Sequence, residues 1–459
     1  MLFNSLVFLL AFLPAAFAGQ AFVLRFAPRS RTAFLVFVSF VFYASFDLRF
    51  VPLLAASILL NWLVAGAFVR SGRKPLVGVA IAANLLLLGL FKYLDFFGGL
   101  LALDPGATAH RYELAFPLGI SFFTFQHVMY LSDLRAGRTA HVGLLDYALY
   151  IAFFPRVIAG PLVRPGELFP QLAARPALPS AEVIARGLVL LALGLCKKGF
   201  IGDPLGGHVD PIYAKIAAGA APSLAEAWQA TLGYTFQLYF DFSGYTDMAL
   251  GLALLFGIVL PQNFDAPYRA VSIQDFWRRW HITLSLFLRD YLYIPFGGNR
   301  HGLPRQVLAL FATMALGGLW HGAGWTFVAW GALHGAALGI HLVWRRAGRA
   351  MPDALGWVLT FGFVALAWVL FRAPSFAAAG AVYAGLLGLG QAGIGETSWA
   401  FWQLITIAAA LAAIGPTAWT LSRALPPARW VAALAALVLV AVLLQVGDDG
   451  NADFIYAQF

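Results

Sequence analysis

An all-α polytopic membrane protein is the fold class this sequence predicts, and three observations predict it. Of the 459 residues, 61% are hydrophobic and only 11% charged, against about 25% charged in an ordinary soluble domain. Mean hydropathy is +0.79. Apolar runs follow one another with hardly a break, at 2–24, 33–45, 50–69, 75–97, 183–202, 224–240, 243–260, 306–319, 325–344, 354–371, 400–422 and 430–446, with shorter, more polar runs at 115–131 and 145–161. A span takes about 20 apolar residues, so the chain has room for roughly ten or more helices. So few charges cannot cover a soluble globule, which excludes a soluble domain and a disordered chain. Cys196 stands alone and makes no intrachain bridge, which excludes a disulfide scaffold. A transmembrane barrel would alternate in segments of about ten residues. With no linker or low-complexity tract, residues 1–446 read as one membrane domain and 447–459 as a tail.

The elements can be taken in order. The first run carries no positive charge ahead of it, and Arg25, Arg29 and Arg31 follow it. It therefore reads as an uncleaved span with the N-terminus outside. Arg70, Arg73 and Lys74 fall inside on the same count, as do Arg135 and Arg138, then Arg345, Arg346 and Arg349, then Arg423 and Arg429. The run 376–390 is too short for a normal span and reads as an interfacial helix on the outer side. The tail, with Asp448, Asp449 and Asp453, then emerges outside. The net charge of +9 is a topology signal of this kind, with no implication of nucleic acid.

Residues 261–305 break the pattern. They hold Asp275, Arg278, Arg279, His281, Ser285, Arg289 and Asp290, and end in Gly297-Gly298-Asn299-Arg300. Irregular polar backbone is not tolerated against lipid, so this stretch is buried in protein, lines a wet cavity or lies at the interface. The next apolar helix stops at Gly317-Gly318-Leu319-Trp320-His321-Gly322-Ala323-Gly324. His321 thus sits at a small-residue break, and two readings stay open for it: chemistry, the default for an intramembrane ionisable group, or a helix–helix hydrogen bond. Gly331, Gly335 and Gly339 at four-residue spacing make a packing face. His334 and His341 share that helix without a third ligand at metal spacing, so no metal is expected. Arg278 and Arg279 are either an anion clamp or a flanking pair. Asp241 and Asp247, between two apolar runs, are expected to pair with cations, the arginines of the central stretch foremost, or to line a cavity. Walker, Rossmann and zincin patterns are absent from the sequence, as is Gly-x-Ser-x-Gly.

The stretches 276–281 (Phe-Trp-Arg-Arg-Trp-His), 288–295 (Leu-Arg-Asp-Tyr-Leu-Tyr-Ile-Pro), 297–300 (Gly-Gly-Asn-Arg) and 318–322 (Gly-Leu-Trp-His-Gly) resemble the membrane-bound O-acyltransferase family, in its bacterial alginate O-acetyltransferase branch. So do 239–249 (Tyr-Phe-Asp-Phe-Ser-Gly-Tyr-Thr-Asp-Met-Ala), 154–161 (Phe-Pro-Arg-Val-Ile-Ala-Gly-Pro) and Lys197-Lys198. The resemblance runs in order over nearly the whole chain. It implies a ring of tilted helices with re-entrant or interfacial segments around a central tunnel, with Asp241, Asp247, Trp280 and Trp320 as structural or tunnel residues. It implies that His321 is the catalytic histidine and His281 its second characteristic histidine. It implies an acyl donor, acetyl-CoA, arriving from the cytoplasm, with no cofactor held permanently. Arg278, Arg279, Lys197 and Lys198 are the candidates for holding the donor's phosphates, Lys197 and Lys198 also reading as a topology signal.

The ending Asp453-Phe454-Ile455-Tyr456-Ala457-Gln458-Phe459 resembles the Phe-Ile-Tyr-x-x-Phe tail of that branch, with Ala457 where an aromatic is common. Tyr456 is either an acyl relay or part of a docking tail. The implied setting is the bacterial inner membrane, with a periplasmic SGNH-hydrolase-like acetyltransferase as partner and an exported polysaccharide as acceptor. The rival readings are D-alanyl transfer from an acyl carrier protein, and a non-enzymatic transporter or export scaffold. A transporter would show matching interrupted halves, and none stands out.

Overall fold

The structure is a computed structural model, and it describes residues 1–100, 117–393, 398–426 and 428–449. Among these residues every regular element is helical. In chain order they are α1 (Leu13–Phe26), α2 (Arg31–Ala44), α3 (Val51–Ser71), α4 (Lys74–Leu100), α5 (Ile120–Arg135), α6 (Leu144–Ala152), α7 (Pro165–Ala173), α8 (Ala181–Lys197), α9 (Asp203–Ala217) and α10 (Leu224–Leu255). Then come α11 (Ile273–Arg279), α12 (Ile282–Leu288), α13 (Gly302–His321), α14 (Trp325–Arg346), α15 (Asp353–Arg372), α16 (Phe376–Leu386), α17 (Trp399–Ala413), α18 (Ala418–Ala424) and α19 (Arg429–Asp449). The described residues gather into two compact units, one within 1–195, 245–261 and 422–449, the other within 196–244 and 262–421.

Six helices among the described residues are long and apolar enough to cross a membrane, or seven if the pair α17–α18, bent by 64°, is one span. That is fewer than the run count suggests, for two physical reasons. Several apolar runs fold into helices too short to cross, such as α2 with 14 residues and α16 with 11. The 11 residues of α16 rise only about 16 Å, in keeping with its reading as a non-crossing segment. Second, the runs 224–240 and 243–260 are one helix, α10, of 32 residues. Asp241 and Ser243 do not break it, because their side chains are buried among protein rather than left to lipid.

In the first unit, some buried polar groups meet one another. Asn61 of α3 and Asn84 of α4 exchange amide hydrogen bonds of 3.2 and 2.7 Å. His127 of α5 is fully buried, with Ser57 Oγ 3.1 Å from Nε2 and Tyr147 Oη 2.6 Å from Nδ1. Where water is absent, such pairing is what makes a polar side chain tolerable inside a bundle.

The second unit positions the candidate site. Its densest packing is the antiparallel pair α13–α14, and the predicted glycine face explains it. A Cβ on Gly331 would lie 2.2 Å from the Met314 carbonyl oxygen, and one on Gly335 2.7 Å from Phe311 Cα. On the facing helix, a Cβ at Gly318 would lie 2.2 Å from the Phe327 carbonyl oxygen. The backbones approach to a distance that only hydrogen side chains allow. The central stretch forms short broken helices with little lipid-like character, as its composition predicts: α11, α12 and a π-turn at Arg289–Tyr293.

Candidate active site

His321 is the last residue of α13. The chain leaves the helix in an extended conformation at Gly322 (φ −162°, ψ 152°) and enters α14 four residues later. The imidazole is 4% exposed. Three aromatic rings wall it: Trp320 at 4.8 Å between centroids, Phe371 at 5.0 Å and Trp330 at 5.2 Å, the last perpendicular to it. The histidine thus stands at a helix end, enclosed by aromatic rings, where the regular backbone stops.

His281 lies on the irregular segment between α11 and α12, in a left-handed conformation (φ 42°, ψ 54°) that a side chain with a Cβ seldom adopts. Asn263 holds it there. The Asn263 carbonyl oxygen accepts the Ile282 N–H (2.9 Å), and its side-chain Oδ1 accepts the Thr283 N–H (3.2 Å) and the Thr283 hydroxyl (3.0 Å). That amide oxygen also lies 3.1 Å from His281 Nδ1. A backbone N–H only donates, so the atom facing Thr283 is the oxygen, and His281 Nδ1 must donate to it. In the neutral ring the lone pair is then on Nε2. Burial presses the pKa of this ring down to about 3, so it is neutral at ordinary pH. Trp320 joins the two histidines: its ring is 4.8 Å from that of His321 and 6.5 Å from that of His281.

Trp280 is buried and lies 5.0 Å from Trp368, which stacks on Trp330 at 5.4 Å. An aromatic chain thus runs from the 276–281 motif to His321. His334, one turn beyond Trp330 on α14, accepts a hydrogen bond at Nδ1 from the Trp277 indole (3.2 Å), a structural use of that nitrogen. The sequence offered no signal for Asn263, Trp330, Trp368 or Phe371: Asn263 lies 18 residues before the histidine it holds, at no recognisable spacing.

The four basic residues grouped as donor-holding candidates separate. Arg278 is exposed and lines a cavity of about 670 Å³. Arg279 turns away to Asp275 at 3.0 Å and the Asp265 carbonyl oxygen at 3.3 Å. Lys197 lies 5.9 Å from the Tyr239 ring centroid. Lys198 is 2% exposed and is gripped by Asp203 (2.8 Å) and Asp241 (2.9 Å). This corrects two expectations. A cation of the central stretch was expected on Asp241, and the structure puts Lys198 there. Lys198 itself, buried between two carboxylates, is a structural cation with no face turned to a phosphate. Asp247 is also buried, among the residues of the first unit.

What surrounds Arg278 in the cavity is more informative. Arg289, Arg345 and Arg346 line it as well, all three exposed, while buried Trp277 and Met314 line its interior. Two of these arginines are held by neutral amides: Arg345 donates to Gln274 Oε1 (3.0 Å) and Arg346 to Gln306 Oε1 (2.7 Å). A neutral partner orients a guanidinium without cancelling its charge. The sequence had marked Arg345 and Arg346 as a topology signal only. Tyr456 lies outside the described residues.

A model described as MBOAT, membrane-bound O-acyltransferase family, matches residues 101–380. The chain is 41% identical over 425 residues to a peptidoglycan O-acetyltransferase of Helicobacter pylori, covering 85% of this chain and 80% of that protein. It is 39% identical over 404 residues to a probable alginate O-acetylase of Pseudomonas aeruginosa, covering 85% and 75%. It is 26% identical over 368 residues to a teichoic acid D-alanyltransferase of Bacillus subtilis, covering 75% and 91%.

Proposed function

This chain belongs to the membrane-bound O-acyltransferase family and is an O-acyltransferase; from that premise we propose that it carries acetyl from a cytoplasmic thioester donor, acetyl-CoA, across the bacterial inner membrane for O-acetylation of an exported polysaccharide. The names of its relatives point to peptidoglycan or alginate as the glycan class. The observation that carries the donor half of the reading is the arginine-lined cavity with its apolar interior. Arg278, with Arg345 and Arg346 oriented by neutral amides, suits the phosphates of a nucleotide thioester, while Arg289 is paired to Asp290 at 2.8 Å. A volume of that order suits a small-molecule ligand.

The transfer then follows from the residues. His321 takes the proton of an acceptor hydroxyl as its oxygen attacks the thioester carbonyl carbon. The carbon–sulfur bond breaks, and the departing sulfur takes that proton back from the imidazolium. General-base help of this kind contributes about 10²–10⁴-fold. The aromatic box keeps water from competing for the acyl group. His281, with its Nε2 lone pair fixed by Asn263, orients the hydroxyl. Tyr456 is the first acceptor, passing acetyl to a periplasmic SGNH-hydrolase-like partner, with both termini of the chain outside.

The test replaces His321→Ala and Tyr456→Phe separately, checks membrane insertion, and quantifies O-acetyl on the cell's exported glycans. Loss in both supports a path from His321 through Tyr456. Loss at His321 alone leaves the enzyme and makes the tail a docking element. Full acetylation with His321→Ala overturns the proposal and brings a transporter or scaffold forward. D-alanyl transfer, the activity named for the 26% relative, predicts D-alanine instead of acetate among the released esters.

A further inference from the structure

A half-exposed ion pair stands next to the His321 box and belongs to none of the steps above. Arg372 ends α15, and its Nη2 donates to Asp210 Oδ1 of α9 at 2.8 Å. The guanidinium lies 5.0 Å from the centroid of the Tyr213 ring, one turn further along α9. The side chains are 31% and 57% exposed, so the pair contributes little to stability as such.

Its place in the chain gives it a use. The preceding residue, Phe371, is 1% exposed and lies 5.0 Å from His321, 5.0 Å from Phe327, 5.1 Å from Trp330 and 5.3 Å from Trp368. Successive residues on a helix point about 100° apart. Fixing the direction of Arg372 therefore fixes the direction of Phe371. A second anchor acts on the same turn: Thr326, at the start of α14, donates its hydroxyl to the Ala373 carbonyl oxygen at 3.3 Å. The end of α15 is thus held on one side by α14 and on the other by α9.

We propose that the Asp210–Arg372 pair is a positioning device for His321, setting the last turn of α15 and with it the Phe371 wall of the histidine's site. The proposal rests on the reading of His321 as the base. Arg372 touches no reacting atom. Its loss lets the Phe371 ring and the imidazole drift together, which misaligns the base against the hydroxyl and leaves the donor cavity, whose lining includes neither Asp210 nor Arg372, intact.

The experiment uses membranes holding the full chain, acetyl-CoA as the donor probe, and acetyl transferred to exported glycan as the readout, normalised to the amount of inserted protein. Arg372→Gln and Asp210→Asn are each expected to lower kcat about tenfold, less than the roughly 10²-fold a displacement of about 1 Å can cost, with the KM for acetyl-CoA within about twofold of the parent. Arg372→Lys, which keeps the charge, should recover part of kcat, and Phe371→Leu should reproduce the loss without touching the pair. His321→Ala runs alongside. If it stays active, the function proposed above fails. If it is inactive while Arg372→Gln and Asp210→Asn keep the parent's kcat, the function stands and the positioning role is overturned. A loss that appears only as less inserted protein, or only as a raised donor KM, also overturns it.

Discussion

Buried histidines occur in both units of this molecule, and His127 of the first is held differently from His281 and His321 of the second, while His334, also in the second, sits inside a helix as His127 does. His127, in the first unit, lies inside a regular helix with a hydroxyl at each ring nitrogen. His281 and His321, in the second, lie at the ends of short or interrupted helices, one on left-handed backbone and one at a glycine-lined break. The first arrangement closes the ring's hydrogen-bonding capacity and spends it on packing. The second aims the ring at a place where the backbone stops being a wall. Burial alone therefore says little about chemistry in a membrane bundle. The difference lies in where the backbone places the ring: inside a regular helix, or at a break in one.

The largest expected effect tests the open side of that contrast. His321→Ala should lower acetyl transfer by about 10²–10⁴-fold with insertion retained, the range general-base help accounts for. Quantified O-acetyl on exported glycan, set against the amount of inserted protein, reads it. A residual activity within tenfold of the parent would place His321 with His127, as packing.

A smaller effect is expected at Asn263, and the choice of substitution sharpens the comparison. Asn263→Ala removes the acceptor that fixes the His281 tautomer and leaves the Thr283 N–H buried without its partner. It should lower kcat by about tenfold or more, because orientation of this kind is lost without loss of the ring. Asn263→Asp keeps an oxygen acceptor toward both Nδ1 and Thr283, so the tautomer survives and the loss should be smaller. Equal losses in the two variants would mean that the side-chain oxygen is not what His281 depends on, and no loss in either would leave only the backbone carbonyl of Asn263 at work.

The donor side gives a different signature. Arg278→Gln combined with Arg345→Gln should raise the KM for acetyl-CoA several-fold with kcat nearly unchanged, because charge at the cavity contributes binding that is the same before and during reaction. The rise should shrink at high salt as screening weakens the parent's own binding. A fall in kcat at unchanged KM would move these arginines from binding to chemistry.

Much of this was legible in the sequence. The fold class, the broken central stretch and the Gly331–Gly335–Gly339 face all follow from composition and spacing, because lipid imposes simple rules on which residues a crossing helix carries. His321 announced itself by its glycine neighbours. What the sequence hid were the partners brought from far along the chain. Asn263 and Phe371 look ordinary where they stand, and only folding sets them beside His281 and His321. Lys198 misled for the same reason: two adjacent lysines at a helix end read as holders of the donor phosphates or as a topology signal, and nothing local shows that one of them turns inward to two carboxylates. Removing that lysine, as in Lys198→Met, would strand buried charge on Asp241 and should destabilise the chain by about 3–5 kcal/mol, a cost no flanking lysine carries.

The smallest expected effect on activity closes the comparison from the other side. His127→Phe removes the bonds to Ser57 and Tyr147 and keeps a ring in the space. Two buried hydroxyls lose a partner, so stability should fall by about 1–3 kcal/mol, seen as a lower melting temperature of the detergent-solubilised protein. Activity per inserted molecule should stay within about twofold of the parent, since the ring takes part in no proton transfer. The opposite pattern, unchanged melting with transfer abolished, would mean that a histidine bonded at both nitrogens can still act on substrate. The contrast between a histidine inside a helix and one at a helix break would then fail for this fold, and the role of His321 would no longer follow from its position.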